Sequence, residues 1–155
     1  MYKRILVPTD GSPISDSAVA SAIELARALG SEIVALSIAV PEPMLQSLDG
    51  AMVLDPGQQV DVLLERANEL ASAVAVRAQA AGVHCVPIPR FSLDPGEAIV
   101  DAAREHGCDL VIMGSHGRRG LSRLFAGSVT QAVLAHCAVP VMVLHPAPAG
   151  ARQPI

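Results

Sequence analysis

The residues best placed to do chemistry lie between Asp109 and Leu134, in the stretch DLVIMGSHGRRGLSRLFAGSVTQAVL. Gly114, Gly117 and Gly120 recur every third residue, and Gly127-Ser128 follows with nine residues between Gly117 and Gly127. Glycine lets backbone N–H groups turn toward a ligand with no side chain in the way. A helix start just beyond adds unbonded N–H donors and a partial positive charge. Together these features describe a cradle for an anion, most often a phosphate. The loop lacks the Gly-Lys-Ser/Thr ending of a Walker A motif. It also follows the fourth predicted strand, whereas a dinucleotide fingerprint follows the first.

His116, Arg118, Arg119 and Arg123 share this loop. Phosphoryl transfer usually needs a carboxylate to hold a metal or position the nucleophile, and none follows within the loop. The arginines are therefore read as solvated, with one of them complementing phosphate charge. Asp10 ends the first predicted strand and reads locally as a turn-forming residue. Alone it makes a weak magnesium site, so magnesium would arrive on the phosphates of a ligand.

The elements that must position these residues alternate regularly. Ile5-Leu6-Val7 predicts a short buried strand. Ser12 is a suitable N-cap, and Pro13 suits the first position of the next helix. Ala18, Val19, Ala22, Ile23, Ala26 and Leu29 form one apolar helical face ending at Gly30. Residues 33–40 are apolar throughout, as a strand covered on both faces should be. Residues 41–58 carry Pro41, Pro43, Gly50, Pro56 and Gly57 and read as a long loop. A second helix spans 59–81, with Val60, Leu63, Leu64, Ala67, Leu70, Ala71, Val74 and Ala78 as its stripe.

A third strand spans 83–91. Its Pro87 and Pro89 remove ladder donors and place it at a sheet edge. Asp94 with Glu97 resembles a capping box ahead of a third helix, with Ile99, Val100, Ala102 and Ala103 facing the core. Leu110 to Met113 predicts a fourth strand buried on both faces. Val129, Ala132 and Val133 lie on a fourth helix, and 139–144 is a fifth strand. Residues 146–155 read as a flexible C-terminal tail. Five strands alternating with four helices predict an α/β fold, a single domain with an open parallel sheet and helices on both faces.

Composition narrows the field further. At 155 residues, one domain of 1–145 plus the tail is expected. With one Tyr and no Trp, the stacking platforms used for single-stranded nucleic acid are missing. A net charge of −4 argues against nonspecific binding to nucleic acid or to an anionic membrane. No apolar run approaches a membrane span, and Met1-Tyr2-Lys3-Arg4 leads straight into a strand without a signal-peptide layout. Cys85, Cys108 and Cys137 are widely spaced, form no zinc set, and read as small buried hydrophobes in a reducing cytoplasm.

Three segments together resemble one known family. Gly114-x-x-Gly117 with Gly127-Ser128 resembles the nucleotide loop of the universal stress proteins, in their ATP-binding branch. Lys3 to Ser12 is similar to that family's first strand and turn, and Val139-Pro140-Val141-Met142-Val143 to its last strand. The resemblance covers residues 1–145. It implies a Rossmann-like fold of the adenine nucleotide alpha hydrolase-like kind, with strand order 3-2-1-4-5. In that order strands one and four are neighbours, and the chain leaves them in opposite directions, which is where such sheets bind ligands.

The resemblance further implies that ATP or another adenine nucleotide binds there. Pro8, Thr9 and Asp10 would wall the nucleoside, and Ile38 and Met113 would touch the adenine face. Gly114 would let the ribose approach, and His116 would lie within the phosphate loop. Backbone N–H groups of Gly117, Ser128 and Val129, entered through Gly127, would hold phosphate oxygens. It also implies a homodimer paired through Val139–Leu144. The reading is of a cytoplasmic binding module or sensor. A slow ATPase or phosphotransferase and a nucleotide-free dimeric interaction protein are the alternatives. Leu93 stands where the family leads one to expect a glycine after the third strand.

Overall fold

The computed structural model describes residues 1–41, 56–115 and 127–145. Five strands and four helices alternate: β1 (Arg4–Pro8), α1 (Pro13–Leu29), β2 (Glu32–Ala39), α2 (Pro56–Ala80), β3 (Cys85–Phe91), α3 (Pro95–Glu105), β4 (Leu110–Gly114), α4 (Ser128–His136) and β5 (Val141–Leu144). All pairings are parallel and the strand order is β3-β2-β1-β4-β5. The expected α/β architecture and strand order are therefore present. The expectations for the tail 146–155 and for most of the 41–58 loop fall outside the described residues.

The sheet is doubly wound because each central strand is apolar on both faces. Ile5 and Val7 of β1, Ile33 and Ala35 of β2, and Leu110 and Ile112 of β4 pack on one face. They meet Ala18, Val19, Ala22 and Ala26 of α1 and Ala71, Val74 and Ala78 of α2. The alternate residues Leu6, Val34, Leu36, Val111 and Met113 point the other way, toward Ile99, Ala102 and Ala103 of α3 and Val133 of α4. The two-residue period of a strand thus assigns each residue to one of two cores.

Local signals set the boundaries. Ser12 caps α1, its Oγ accepting the Ser15 N–H, and Gly30 closes the helix in the left-handed region at φ 68°. Asp94 caps α3 through the Glu97 N–H at 3.0 Å. Several expectations need correction. Strand β3 begins at Cys85 and β5 at Val141, each two residues after the expected start, and β2 runs from Glu32 to Ala39 rather than over 33–40. Helix α2 begins at Pro56, three residues before the expected start, because proline suits a first helical turn. On α3 it is Ala98, 4% exposed, that joins the core, while Val100 is only half-buried. A run of apolar residues on a short helix leaves its rotational phase open by one position.

The two sheet edges differ. The Ile33 N–H donates to His84 O at 2.9 Å and the Ser92 N–H to Ala39 O at 3.2 Å. With the register Ile33↔Cys85 through Ala39↔Phe91, the even-numbered residues of β3 direct their backbone groups toward β2. Pro87 and Pro89 are odd-numbered, so the donors they lack would have pointed outward. On the opposite edge, the Val111 N–H donates to Pro140 O at 3.0 Å and the Ser115 N–H to Leu144 O at 2.9 Å. Even-numbered residues of β5 therefore face β4, leaving the N–H groups of Val141 and Val143 aimed outward with no proline in the way.

Asp109 ties the start of β4 to the start of β1. Its carboxylate accepts the Lys3 N–H at 2.8 Å and the Arg4 N–H at 3.0 Å. Burial by itself would raise the carboxyl, but the two backbone donors outweigh it and its pKa is lowered. A lowered carboxylate pKa stabilises the fold above the unfolded value of about 3.9, and that contribution is lost as pH falls through the folded value. Asp109→Ala should therefore cost on the order of 1 kcal/mol at pH 7, since the group is largely solvated. The deficit should narrow below about pH 4. Urea unfolding of both proteins at pH 7 and pH 3 checks this; an equal deficit at both would overturn the assignment.

Candidate functional site

At β1 the strand order reverses, because β2 lies on one side of it and β4 on the other. The chain leaves β1 through Pro8-Thr9-Asp10 into α1, and leaves β4 through Gly114-Ser115 toward α4. A cavity of about 350 Å³ opens at this point, on the face covered by α3 and α4. Pro8, Thr9 and Asp10 wall one side, and Gly127, Ser128, Val129 and Thr130 form the other. Leu36, Ile38 and Val40 of the β2 end, Met113 and Gly114 of the β4 end, and Pro95 and Ile99 of α3 complete it, with Ser15 at its base.

Of the expected site residues, Pro8, Thr9, Asp10, Ile38, Met113, Gly114, Gly127, Ser128 and Val129 all line this cavity. His116 and Gly117 lie outside the described residues. Two larger hollows exist. One, at the N-terminal edge around Lys3 and Glu32, is crossed by the Arg4–Glu32 ion pair at 2.7 Å. The other lies against α2 on the opposite face and meets the first cavity only at Asp10, Ile38 and Val40. The second includes the start of α2 at Pro56 and Gln59, but neither hollow is lined by Gly114, Gly127 or Ser128.

The β1 turn is braced from within. The Thr9 N–H continues the ladder to Leu36 O at 2.8 Å. Its hydroxyl sits 3.3 Å from Ser15 Oγ and accepts the Gly11 N–H at 3.2 Å. Ser15 Oγ donates to Ser12 O at 2.9 Å. Since the Ser15 proton is used there, the Thr9 hydroxyl is the donor between the two side chains. Asp10 Oδ1 accepts the Ser12 N–H at 3.0 Å, the turn-forming bond anticipated for it. Asp10 is the only ionisable residue among the described residues lining the cavity.

Helix α4 starts differently from the two helices just described. Its N-cap is Gly127, at φ −59° and ψ 162°, and among the described residues no side chain caps it. Ser128 and Val129 of its first turn line the cavity, and among the described residues no side chain supplies the acceptor that Ser12 and Asp94 give to α1 and α3. A helix start of this kind attracts negative charge.

Gly114 has a second role that the glycine pattern did not reveal. A Cβ there would lie 2.8 Å from Ile14 O and 2.9 Å from Ile14 C, both backbone atoms of α1. The bare Cα lets α1 settle onto the end of β4, while the cavity meets the backbone from the other side. Gly96 is similar: a Cβ there would lie 2.7 Å from Ala132 Cβ, so α3 and α4 pack closely beside the cavity. Leu36 and Val40 were not anticipated, though they share Ile38's strand face and parity alone would have found them. Pro95 and Ile99 carry no such signal, since only the crossing of α3 over the sheet brings them in. Among the described residues no cluster of metal-ligating side chains occurs. Burial pushes the Cys85 and Cys108 thiols up to about 11, which leaves them protonated and unreactive near neutral pH.

A doubly wound parallel sheet with an apolar-walled crevice at its switch point places this chain in a well-populated class of α/β proteins. Within that class it belongs to the universal stress protein family, whose model matches residues 1–145. A universal stress protein of Methanocaldococcus jannaschii is 30% identical over 145 residues, spanning 93% of this chain and 82% of the relative. A solved structure from Burkholderia pseudomallei, described as a protein from the same family, aligns with a TM-score of 0.70 at 27% identity. That alignment covers 92% of this chain and 96% of the other. A universal stress protein described in complex with cAMP (24% identity, TM-score 0.64, 93% and 97% covered) shares the fold. So does an Arabidopsis thaliana family member described with AMP bound (18% identity, TM-score 0.65, 92% and 91% covered). Among the described residues no helix is long and apolar enough to cross a membrane.

The contact at Gly114 is open to test. Gly114→Ala should destabilise the fold by about 1–3 kcal/mol, because the methyl meets rigid backbone rather than a movable side chain. Urea unfolding measures it; wild-type stability would show that α1 has room to spare.

Proposed function

We propose that this protein binds an adenine nucleotide in the cavity between the β1 turn and the start of α4, and works as a binding module or sensor. The observation that carries the reading is the convergence there of apolar walls and an uncapped helix start. Ligand pockets usually run from about 300 to 1,000 Å³ and combine apolar lining with a few polar groups. The described part of this cavity, at about 350 Å³, suits the nucleoside end of such a ligand. Ile38, Met113, Leu36 and Ile99 supply flat apolar contact for the base. Thr9, Asp10 and Ser15 supply acceptors for base or ribose donors. The amides of Ser128 and Val129 supply the phosphate end, and Gly127 keeps the approach clear. ATP is the proposed occupant, with magnesium carried on its phosphates. Family members that hold cAMP or AMP make the ligand class familiar for this fold, but the reading for this chain rests on its own cavity.

The emphasis on binding follows from the lining. A phosphoryl-transfer site places metal-binding carboxylates and a water-positioning group around the phosphates. Among the described lining residues only Asp10 is a carboxylate, and it already accepts the Ser12 N–H.

Calorimetric titration with ATP, ADP and AMP tests the proposal. At least one should bind, and Gly127→Val should weaken it tenfold or more, about 1.4 kcal/mol. The variant should still fold, because φ −59° suits any residue. Absence of heat with all three nucleotides would sink the proposal.

The edge geometry favours one assembly. Pro87 and Pro89 deny a partner strand two outward donors on β3, whereas β5 keeps those of Val141 and Val143. Met142 is 44% exposed on the same strand. An open apolar edge of this kind needs cover. The protein pairs with a second copy through β5. Sedimentation at micromolar concentration should report a dimer, and Met142→Arg should shift it to monomer with the fold retained. A monomeric wild type would refute the pairing.

A further inference from the structure

We propose that Ser115 is a positioning residue for the phosphate end of the site, although it does not line the cavity. This rests on the nucleotide reading above. Ser115 is fully buried, at 0% exposure, immediately after β4. Its N–H donates to Leu144 O at 2.9 Å, which extends the β4–β5 ladder by one residue past the strand end. Its Oγ accepts the Gly127 N–H at 3.4 Å. One residue therefore joins the tip of β4, the tip of β5 and the N-cap of α4.

The need for such a brace follows from the cap. Gly127 contributes no side chain, so it cannot organise the first turn of α4 as Ser12 organises that of α1. Among the described residues the helix start is otherwise anchored to the sheet by packing at Val129, Thr130 and Val133, which fixes its depth but not the direction of its first amides. A buried hydroxyl on the strand end is a fixed acceptor, and it sets where the Gly127 amide sits relative to β4. The Ser128 and Val129 amides follow Gly127 directly, so their aim toward the cavity depends on the same contact. The bond is long and weak by itself. Its effect is on direction, and a small displacement of fixed donors is enough to lose much of their hold on an anion.

The proposed base and ribose contacts lie on the β1, β2 and β4 ends, on Ser15 of α1 and on Ile99 of α3, and none of them is bonded to the Ser115 hydroxyl in the way Gly127 is. The inference therefore separates the two ends of the ligand. Ser115→Ala should weaken ATP about fivefold to tenfold while leaving adenosine binding unchanged. Ser115→Thr, which keeps the acceptor, should recover most of the ATP affinity. Equal losses for ATP and adenosine, or no loss of either, would overturn the assignment. Hydrogen exchange on the ligand-free proteins gives a second readout. The amides of Gly127 to Thr130 should exchange faster in Ser115→Ala than in wild type, while those of β1 and β2 stay unchanged. If wild type binds neither ATP nor adenosine, the nucleotide reading fails, and the exchange result still decides whether Ser115 holds the start of α4. Unaltered exchange at Gly127 would refute that role directly.

Discussion

The pairing of β1 with β4 is the constraint on which the rest of this structure depends. It places two strands side by side whose outgoing chains turn to opposite faces of the sheet. Helix α1 covers one face and α4 the other, and the cavity opens at the two strand tips. The Asp109 carboxylate secures the other end of the same pairing by accepting the Lys3 and Arg4 amides. A cavity at this reversal is a consequence of how the sheet is wound and needs no special arrangement of side chains to exist.

What the side chains do is give the cavity its chemistry. Strand alternation sends Leu36, Ile38 and Met113 toward the α3–α4 face, so the walls are apolar wherever β2 and β4 supply them. The helix starts provide contrast. Ser12 and Asp94 satisfy first-turn amides of α1 and α3, while among the described residues no side chain does so for α4 at Gly127. An apolar wall facing a row of amides is the arrangement suited to a ligand with a flat base and an anionic tail. The same economy appears in the packing. Gly114 and Gly96 hold no side chain because α1 and α4 come too close for one, and that closeness is what makes the two sides of the cavity rigid.

The edges of the sheet show a related division. Prolines on β3 remove the backbone donors that would have faced outward, and on β5 the equivalent donors remain. Edge strands are a hazard unless covered or blunted. Here one edge is blunted chemically, and the other is left suited to pairing. The thiols fit the same pattern of inert filling, since desolvation holds Cys85 and Cys108 protonated.

Much of this was legible from residues alone, because the signals involved act over a few positions. Apolar runs at Leu110–Met113 and 33–40 specify strands covered on both sides. Ser12-Pro13 and Asp94-Pro95 specify helix starts. The placement of Pro87 and Pro89 specifies an edge, and the Gly127-Ser128 spacing specifies an approach to a helix start. Strand alternation could also have supplied Leu36 and Val40 once Ile38 was chosen. The remainder depended on distances between segments far apart in the chain. Whether Gly114 serves a ligand or a helix depended on where α1 comes to rest, and its nearest neighbour proved to be the Ile14 carbonyl. Whether Val100 or Ala98 faces inward depended on the roll of α3 against the sheet. Pro95 and Ile99 entered the site only through the crossing of α3 beside α4, and Ser115 acquired a role only because β5 and Gly127 both end beside it. Periodicity and cap chemistry are local properties of a chain, whereas cavities and close contacts are set by how whole elements pack.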